Sequence, residues 1–190
     1  MGTTLQNIYF FPTSEKRVIK AKLQEILEAE GYLPSKGNEA FNLLIHLQED
    51  KEGSCFISIG LTDIASSSFF PRALAQSLNC DVLNASVYDS DYLSLIYYKR
   101  ETKESIRLDI GIFPDSTYTQ NVDITTLYPL LRNKETQEEL HRVWQAKYTF
   151  AEDRLNDLLV LFGYGGFVLP GKKPRICVFT NLMTQSEAIG

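Results

Sequence analysis

Histidine and cysteine, the residues that most often bind zinc or form disulfides, are scarce in this chain of 190 residues. Its two histidines, His46 and His141, are far apart, and neither has a second histidine at the spacing of zinc ligands. The three cysteines, Cys55, Cys80 and Cys177, have no paired spacing, which argues against a disulfide framework. The sequence therefore predicts no classical zinc site and indicates a reducing compartment, which we interpret as the cytoplasm.

Long apolar runs are also missing. The longest apolar stretch, Leu158–Leu169, is too short and too rich in glycine to span a bilayer. Residues 1–6 contain no charged segment followed by an apolar run, so we expect no signal peptide. The sequence therefore predicts no association with a membrane, which agrees with a cytoplasmic location.

Positive charge is in short supply as well. The 19 Lys and Arg residues are outnumbered by 24 Asp and Glu, which gives a formal net charge of -5. Because the basic residues are spread along the chain, no basic patch indicates binding to nucleic acid. An acidic surface of this kind suits a basic protein partner.

One segment is a near match to the phosphate-binding loop of nucleotide-binding proteins. It runs from Gly166 to Lys173, but Lys173 replaces the Ser or Thr that would bind Mg²⁺. The segment also follows a predicted helix, whereas the phosphate-binding loop follows a strand. We therefore expect an ordinary connection here and no cofactor.

Periodic apolar residues divide the chain into strands and helices. Up to Tyr88 the predicted order is strand-helix-strand-strand-helix-strand, the split arrangement of ferredoxin-like folds, and two further strands follow. Ile124–Leu131, Thr136–Lys147 and the segment after the capping box Thr149–Glu152 are predicted helices. The sequence predicts an α+β fold with a mainly antiparallel sheet of about six strands, on which the C-terminal helices pack.

The length of the chain predicts one well-buried core. We expect residues 1–163 to form a single α+β domain and residues 164–190 to form a C-terminal extension with a loose end. The extension contains one predicted strand, near Ile176–Thr180. From the first two helices, the residues expected to pack on the sheet are Leu23, Ile26, Leu27, Leu74 and Leu78.

Three consecutive strands lie between Asp81 and Pro114. The last of them, Ser105–Ile112, alternates apolar residues with Ser105, Arg107, Asp109 and Gly111. Strict alternation is typical of an antiparallel sheet with one face in water, so we expect such a face here.

Three carboxylates, Asp89, Asp91 and Asp109, could come together if these strands pair. Carboxylate oxygens bind Mg²⁺, and two such ions can organise phosphoryl transfer, as in the Asp-x-Asp plus third Asp of nucleotidyltransferases. The chain departs from that pattern at the polar Ser90 and lacks an upstream Gly-Ser pair opening a helix. The other interpretation is a hairpin turn at residues 89–91, with Asp109 paired to Arg107 or Lys99 on the exposed face. Turn chemistry explains these residues without a ligand, and we favour it.

A polar strand face is the second candidate site. If Leu83, Ala85 and Val87 face the core, the intervening residues face away from it. The predicted binding surface consists of Asn84, Ser86, Tyr88, Asp89, Asp91, Tyr98, Arg107 and Asp109. Its mixture of Tyr, Arg and small polar residues resembles protein interfaces. The alternative is that the C-terminal helices cover this face, because their apolar stripes must be buried somewhere.

Three short segments carry a resemblance to a group of proteins. They are Cys55–Ile59, Val87–Leu93 and Phe150–Asp153 ahead of the Leu-rich helix. Together they resemble uncharacterised bacterial α+β single-domain proteins, some of them in polymorphic-toxin immunity neighbourhoods. The resemblance spans Phe41 to Phe162 and departs at Tyr88, where a histidine would be expected. It implies an immunity-like binding protein, and no catalytic residue is carried over.

The sequence thus leads to a functional hypothesis and two alternatives. The leading one is a non-enzymatic module that binds a protein partner through an acidic, Tyr-bearing surface. The alternative from another class is a divalent-metal-dependent phosphoryl or nucleotidyl transferase that uses Asp89, Asp91 and Asp109. A third is a small-molecule pocket between the sheet and the C-terminal helices, near Trp144 and Tyr148.

Overall fold

The computed structural model describes residues 5–12, 14–29, 31–34, 43–50, 53–60, 69–102, 104–111, 123–165 and 176–181. The strands are β1 Leu5–Phe11, β2 Tyr32–Pro34, β3 Leu43–Glu49, β4 Cys55–Gly60, β5 Asp81–Tyr88, β6 Tyr92–Tyr98, β7 Ser105–Gly111 and β8 Ile176–Asn181. The α-helices are α1 Lys16–Ala29, α2 Phe69–Leu78, α3 Gln137–Gln145 and α4 Ala151–Leu161, and Ile124–Leu130 and Lys134–Thr136 are 3-10 helices.

The described strands form one antiparallel sheet of eight strands, in the order β2-β8-β3-β4-β1-β5-β6-β7. At its centre β1 lies between β4 and β5, which is the split arrangement that the strand and helix order predicts. The α+β class and the antiparallel sheet are therefore confirmed. The sheet is wider than the predicted six strands because β2 and β8 extend it beyond β3.

Helices α1 and α2 cover one face of the sheet. Residues spaced four apart on α1, namely Ile19, Leu23 and Leu27, are buried in a core that also contains Leu74 of α2. The strands contribute side chains of alternate residues to this core, among them Ile8, Phe10, Ile57, Val82 and Tyr98. Ile26 and Leu78 pack against it while remaining partly exposed, so the expected helix contacts are found.

The C-terminal helices cover the opposite face, which carries Leu83, Ala85 and Val87 of β5. Their buried residues on this side include Ile124, Leu127, Leu130, Leu140, Val143, Leu155, Leu158, Leu159 and Phe162. Helices thus lie on both faces, and the expected sheet with one face in water is wrong. The alternation in β7 does not represent the whole sheet, because β7 is the edge strand of the described sheet. Strands β1 and β5 are buried on both sides.

Two expectations about the C-terminal helices need correction. The segment Ile124–Leu130 is a 3-10 helix with Pro129 inside it, because proline cannot supply the N–H of an α-helical bond. The expected capping box is not formed: Phe150 is the N-cap residue of α4, without a side-chain hydrogen bond. The Glu152 carboxylate instead accepts a hydrogen bond from Ser90, far away in the sequence.

The segment after Gly163 is joined to the rest of the fold. Tyr164 is buried, and its hydroxyl accepts a hydrogen bond from Phe10 N (2.8 Å) and donates one to Phe10 O (2.9 Å). The predicted strand near Ile176–Thr180 is confirmed as β8, which lies between β2 and β3. The near match to a phosphate-binding loop lies outside the described residues. Within the described part of the chain, no helix has the length and apolarity that a membrane crossing requires.

Candidate functional site

The segment Asp89-Ser90-Asp91 forms the turn between β5 and β6. Its ends are joined by a hydrogen bond from Asp91 N to Tyr88 O (3.1 Å). Asp89 and Ser90 both have left-handed backbone conformations, with φ of 49° and 63°. Such angles are uncommon outside glycine, although aspartate tolerates them better than most residues. The interpretation of these residues as a hairpin turn is therefore confirmed.

Contacts from two sides fix this turn in place. The carbonyl of Ser90 accepts a hydrogen bond from Ala151 N (2.7 Å), and its hydroxyl donates one to Glu152 Oε1 (2.9 Å). The Ser90 side chain is consequently buried at the start of α4, while Asp89 and Asp91 remain exposed. On the other side, a Cβ added to Gly111 would lie 2.2 Å from Asp91 O, so only glycine allows this approach.

Asp109, the third carboxylate, is engaged on β7. Arg107 Nε donates to both of its oxygens, at 2.8 and 3.1 Å, and Arg107 Nη2 donates to the Tyr92 hydroxyl at 3.4 Å. The two side chains of the ion pair are 57% and 18% exposed, so solvent weakens its contribution to stability. The expected pairing of Asp109 with Arg107 is found.

The three carboxylates do not form a metal site. All three belong to the described residues, and among those no group of three His, Cys, Asp or Glu side chains is placed to hold a metal ion. Asp109 binds Arg107 on the sheet face, whereas Asp89 and Asp91 lie in the turn. A two-metal transferase needs its carboxylates to converge on one small volume, and this condition is not met.

The predicted binding surface is divided between the interior and the exterior. Asn84, Ser86 and Tyr98 face α1 and α2 and are buried; Asn84 Oδ1 accepts a hydrogen bond from Gln6 Nε2 at 3.1 Å. Tyr98 belongs to the core that α2 covers. These three residues are therefore not available to a partner. The C-terminal helices, which we expected as the alternative cover of this face, pack on the opposite one.

The other predicted residues remain at the surface. Asp89, Asp91 and Arg107 are exposed, and Tyr88 and Asp109 are half-buried. Tyr88 lies beside Tyr92, with the two ring centroids 6.0 Å apart. We refer to Tyr88, Asp89, Asp91, Arg107 and Asp109 together as the tyrosine-acid surface.

A cavity of about 900 Å³ lies behind the turn, next to α3 and α4. Its walls include the β5–β6 turn, the end of β7 and the connection between the two helices; the lining residues are Ser90, Asp91, Ile110, Gly111, Trp144, Gln145, Ala146, Lys147, Tyr148, Thr149, Ala151 and Arg154. This is where the sequence suggested a pocket near Trp144 and Tyr148. Concave sites of this volume are typical of ligand pockets.

Arg154 is the most unusual residue in the cavity wall. Its guanidinium lies 5.0 Å from the centroid of the Tyr148 ring, and Nη2 donates to Ala146 O. Its Nε is buried without a hydrogen-bond partner, and none of the described carboxylates forms an ion pair with it. Burial lowers the pKa of Arg154, and the neighbouring Tyr148 offsets only part of that effect.

Tyr148 is itself held in place. Its hydroxyl donates to Asp157 Oδ2 at 2.6 Å, which fixes the ring under the guanidinium of Arg154. Burial, together with this hydrogen bond to a carboxylate, raises the pKa of Tyr148 to about 12. The cationic wall of the cavity is therefore positioned before any ligand arrives.

Arg154 was not predicted from the sequence, because no neighbouring residue distinguishes it from an ordinary charged residue on the solvent-exposed face of α4. The available signal was the short connection between α3 and α4, which predicts two antiparallel helices in contact. That contact brings Ala146 and Tyr148 to Arg154.

Comparison of the chain with protein-family models, with curated proteins and with solved structures gave no match.

Proposed function

We propose that this protein is a non-enzymatic binding module that recognises a basic protein partner through the tyrosine-acid surface. The observation that carries the proposal is the turn that holds Asp89 and Asp91 at the surface in a fixed conformation. The immunity-like role implied by the sequence resemblance is one form of such binding. We place it in the cytoplasm, in agreement with the free thiols of Cys55 and Cys80.

Rigidity of the turn favours recognition. Ser90 is tied to α4 through both its carbonyl and its hydroxyl, so its two neighbours project from an anchored backbone. A partner that binds them does not have to order a loop, which would otherwise cost binding free energy. Left-handed conformations at consecutive non-glycine residues also occur preferentially at functional sites.

The chemistry of the surface fits a basic partner. Asp89 and Asp91 are exposed carboxylates on a protein whose net charge is -5, so a cationic protein is attracted from a distance. Tyr88 offers an aromatic ring beside them, and tyrosine is enriched at the centres of interfaces. The Arg107 and Asp109 pair at the rim adds polar contacts without adding net charge.

Charge reversal at the turn tests the proposal. The variant Asp89→Lys/Asp91→Lys should bind its partner at least about tenfold more weakly than the wild type, because attraction becomes repulsion. The proteins encoded on either side of its gene are the first candidates, each co-expressed with the tagged chain. Affinity is then measured by surface plasmon resonance at two salt concentrations, and higher salt should weaken the wild-type complex.

A matched control exists at the other end of the same hairpin. Glu101 and Glu104 are exposed acids in the β6–β7 connection, so Glu101→Lys/Glu104→Lys changes the net charge by the same amount. This control should retain the affinity of the wild type. An equal loss of affinity in both variants would show that only net charge matters. An unchanged affinity in the turn variant would contradict the proposed binding surface.

A further inference from the structure

The cavity behind the turn has a charge pattern that its described residues do not balance. Of the twelve described residues that line it, Lys147 and Arg154 are cationic and Asp91 is the one acid. Asp91 and Lys147 are exposed and hydrated, whereas Arg154 is partly buried and has no carboxylate partner among the described residues. A partly buried cation without an anionic partner is costly, and an anion in the cavity would reduce that cost.

Arg154 is held in one orientation. The Tyr148 ring lies beneath its guanidinium, and Ala146 O accepts a hydrogen bond from Nη2. Tyr148 is fixed in turn by its hydrogen bond to Asp157. Little side-chain entropy is therefore lost when the guanidinium binds an anion, which favours affinity.

The remaining wall suits a flat apolar group. Trp144 and Ile110 are half-buried members of the lining, and both pack against the core under the C-terminal helices. An indole ring offers a broad face for stacking with another ring. The volume of about 900 Å³ is sufficient for a molecule of cofactor or metabolite size.

We propose that this cavity binds a small aromatic molecule that carries an anionic group, a carboxylate or a phosphate. Arg154 pairs with the anion, Lys147 adds cationic charge at the mouth, and Trp144 contacts the ring. The site is distinct from the tyrosine-acid surface, although Asp91 borders both. The proposed binding surface and the proposed cavity site can be refuted independently, because different variants test them.

Trp144 is the only tryptophan of the chain, so its fluorescence reports directly on this cavity. The probes are phenylacetate, phenyl phosphate and the neutral phenylacetamide, titrated into the full-length protein and checked by saturation-transfer NMR. One or both anions should change the Trp144 emission in a saturable manner, and the amide should bind at least about tenfold more weakly. The comparison of carboxylate with phosphate decides which anion the site prefers.

The variant Arg154→Gln should lose at least about tenfold in affinity for the preferred anion, because a charge-assisted hydrogen bond is lost. Arg142→Gln is the matched control: Arg142 is exposed on α3, pairs with Glu139 and does not line the cavity, so the affinity should not change. Thermal melts verify that both variants fold. If Arg154→Gln does not fold, Lys147→Gln takes its place, and a smaller loss is expected.

Quenching of Trp144 in the wild type provides a second test that requires no variant. The ratio of the iodide to the caesium quenching constant should be higher for Trp144 than for free N-acetyltryptophanamide, since a cationic wall concentrates anions. A ratio equal to or below that of the free compound would overturn the proposal. So would equal binding of the acid and the amide, or an unchanged affinity in Arg154→Gln.

Discussion

At the scale of single residues, the backbone around the β5–β6 turn adopts energetically unfavourable conformations. Asp89 and Ser90 adopt left-handed angles, and Gly111 has φ of +119°. Gly111 also lies so close to the Asp91 carbonyl that a Cβ would clash with it. The packing of the turn onto α4 and β7 offsets these costs, which is why the strain persists.

Substitution of Gly111 by alanine should therefore be severely destabilising. The added Cβ meets Asp91 O at 2.2 Å, and the backbone angle disfavours any L side chain. We expect the free energy of unfolding to fall by about 3 kcal/mol, as measured by urea denaturation. Gly53→Ala is the control, since Gly53 has φ of +82° with nothing within 4 Å, and should cost only about 1 kcal/mol. Similar losses in the two variants would contradict the close approach at Gly111.

At the scale of secondary-structure elements, the hairpin of β5 and β6 is attached to α4. One hydrogen bond joins the Ser90 carbonyl to Ala151 N, and another joins the Ser90 hydroxyl to the Glu152 carboxylate. The second oxygen of Glu152 is buried without a hydrogen-bond partner among the described residues. Loss of the Ser90 hydroxyl would leave this carboxylate still less satisfied.

Ser90→Ala should accordingly lower the free energy of unfolding by about 2 kcal/mol, because a buried carboxylate loses its donor. The effect should fall to about 1 kcal/mol in a Glu152→Ala background, where no carboxylate remains to be satisfied. A double-mutant cycle measured by urea denaturation gives the coupling, expected at about 1 kcal/mol. Additive effects of the two substitutions would show that the hydrogen bond does not stabilise the attachment.

Strand β8 is the second element with a consequence for stability. It lies inside the sheet, between β2 and β3, and pairs antiparallel with both. A strand in this position supplies hydrogen bonds to two neighbours. Its removal would turn β3 into an edge strand with unpaired backbone groups.

A chain that ends at Gly165 should therefore be less stable than the full chain and prone to self-association. Urea denaturation and analytical ultracentrifugation measure the two effects. A chain that ends at Asn181 keeps β8 and serves as the control. If the shorter chain is as stable and as monomeric as the control, β8 does not contribute to the stability of the sheet.

At the scale of the whole molecule, one sheet separates two apolar cores. Tyrosines are buried on both sides: Tyr98 lies under α2, while Tyr9, Tyr97 and Tyr164 lie under the C-terminal helices. Burial raises the pKa of each of these hydroxyls. The folded state therefore binds their protons more tightly than the unfolded chain does.

Stability should consequently decline at alkaline pH. An unfolded tyrosine has a pKa of about 10, whereas burial raises the pKa of Tyr148 to about 12 in the folded protein. Stabilisation from a raised pKa is complete below the unfolded value and is lost as the pH rises through the folded one. Urea denaturation from about pH 9 to about pH 12 should show a falling free energy of unfolding.

Tyr148→Phe removes one of the titrating groups and should flatten that decline. The buried thiol of Cys80, whose pKa burial raises to about 11, acts with the same sign and remains in the variant. A free energy of unfolding that is constant between about pH 9 and about pH 12 would contradict the burial of these hydroxyls.

The sequence by itself determined the local elements. Alternation along β7 and the four-residue spacing of Ile19, Leu23 and Leu27 reflect the period of each element, which neighbouring residues specify. Asp89-Ser90-Asp91 was recognisable as a turn for the same reason, since aspartate and serine bond to nearby backbone. The split order of strands and helices then followed from the succession of these elements.

Only the tertiary structure decided which helices cover which face of the sheet. The burial of Asn84 depends on Gln6, 78 residues away, and the attachment of the turn depends on Glu152, 62 residues from Ser90. The cavity likewise exists because the α3–α4 connection is placed behind the turn. Contacts between residues so far apart leave no periodic trace in the chain, since they depend on the packing of complete elements rather than on local backbone preference.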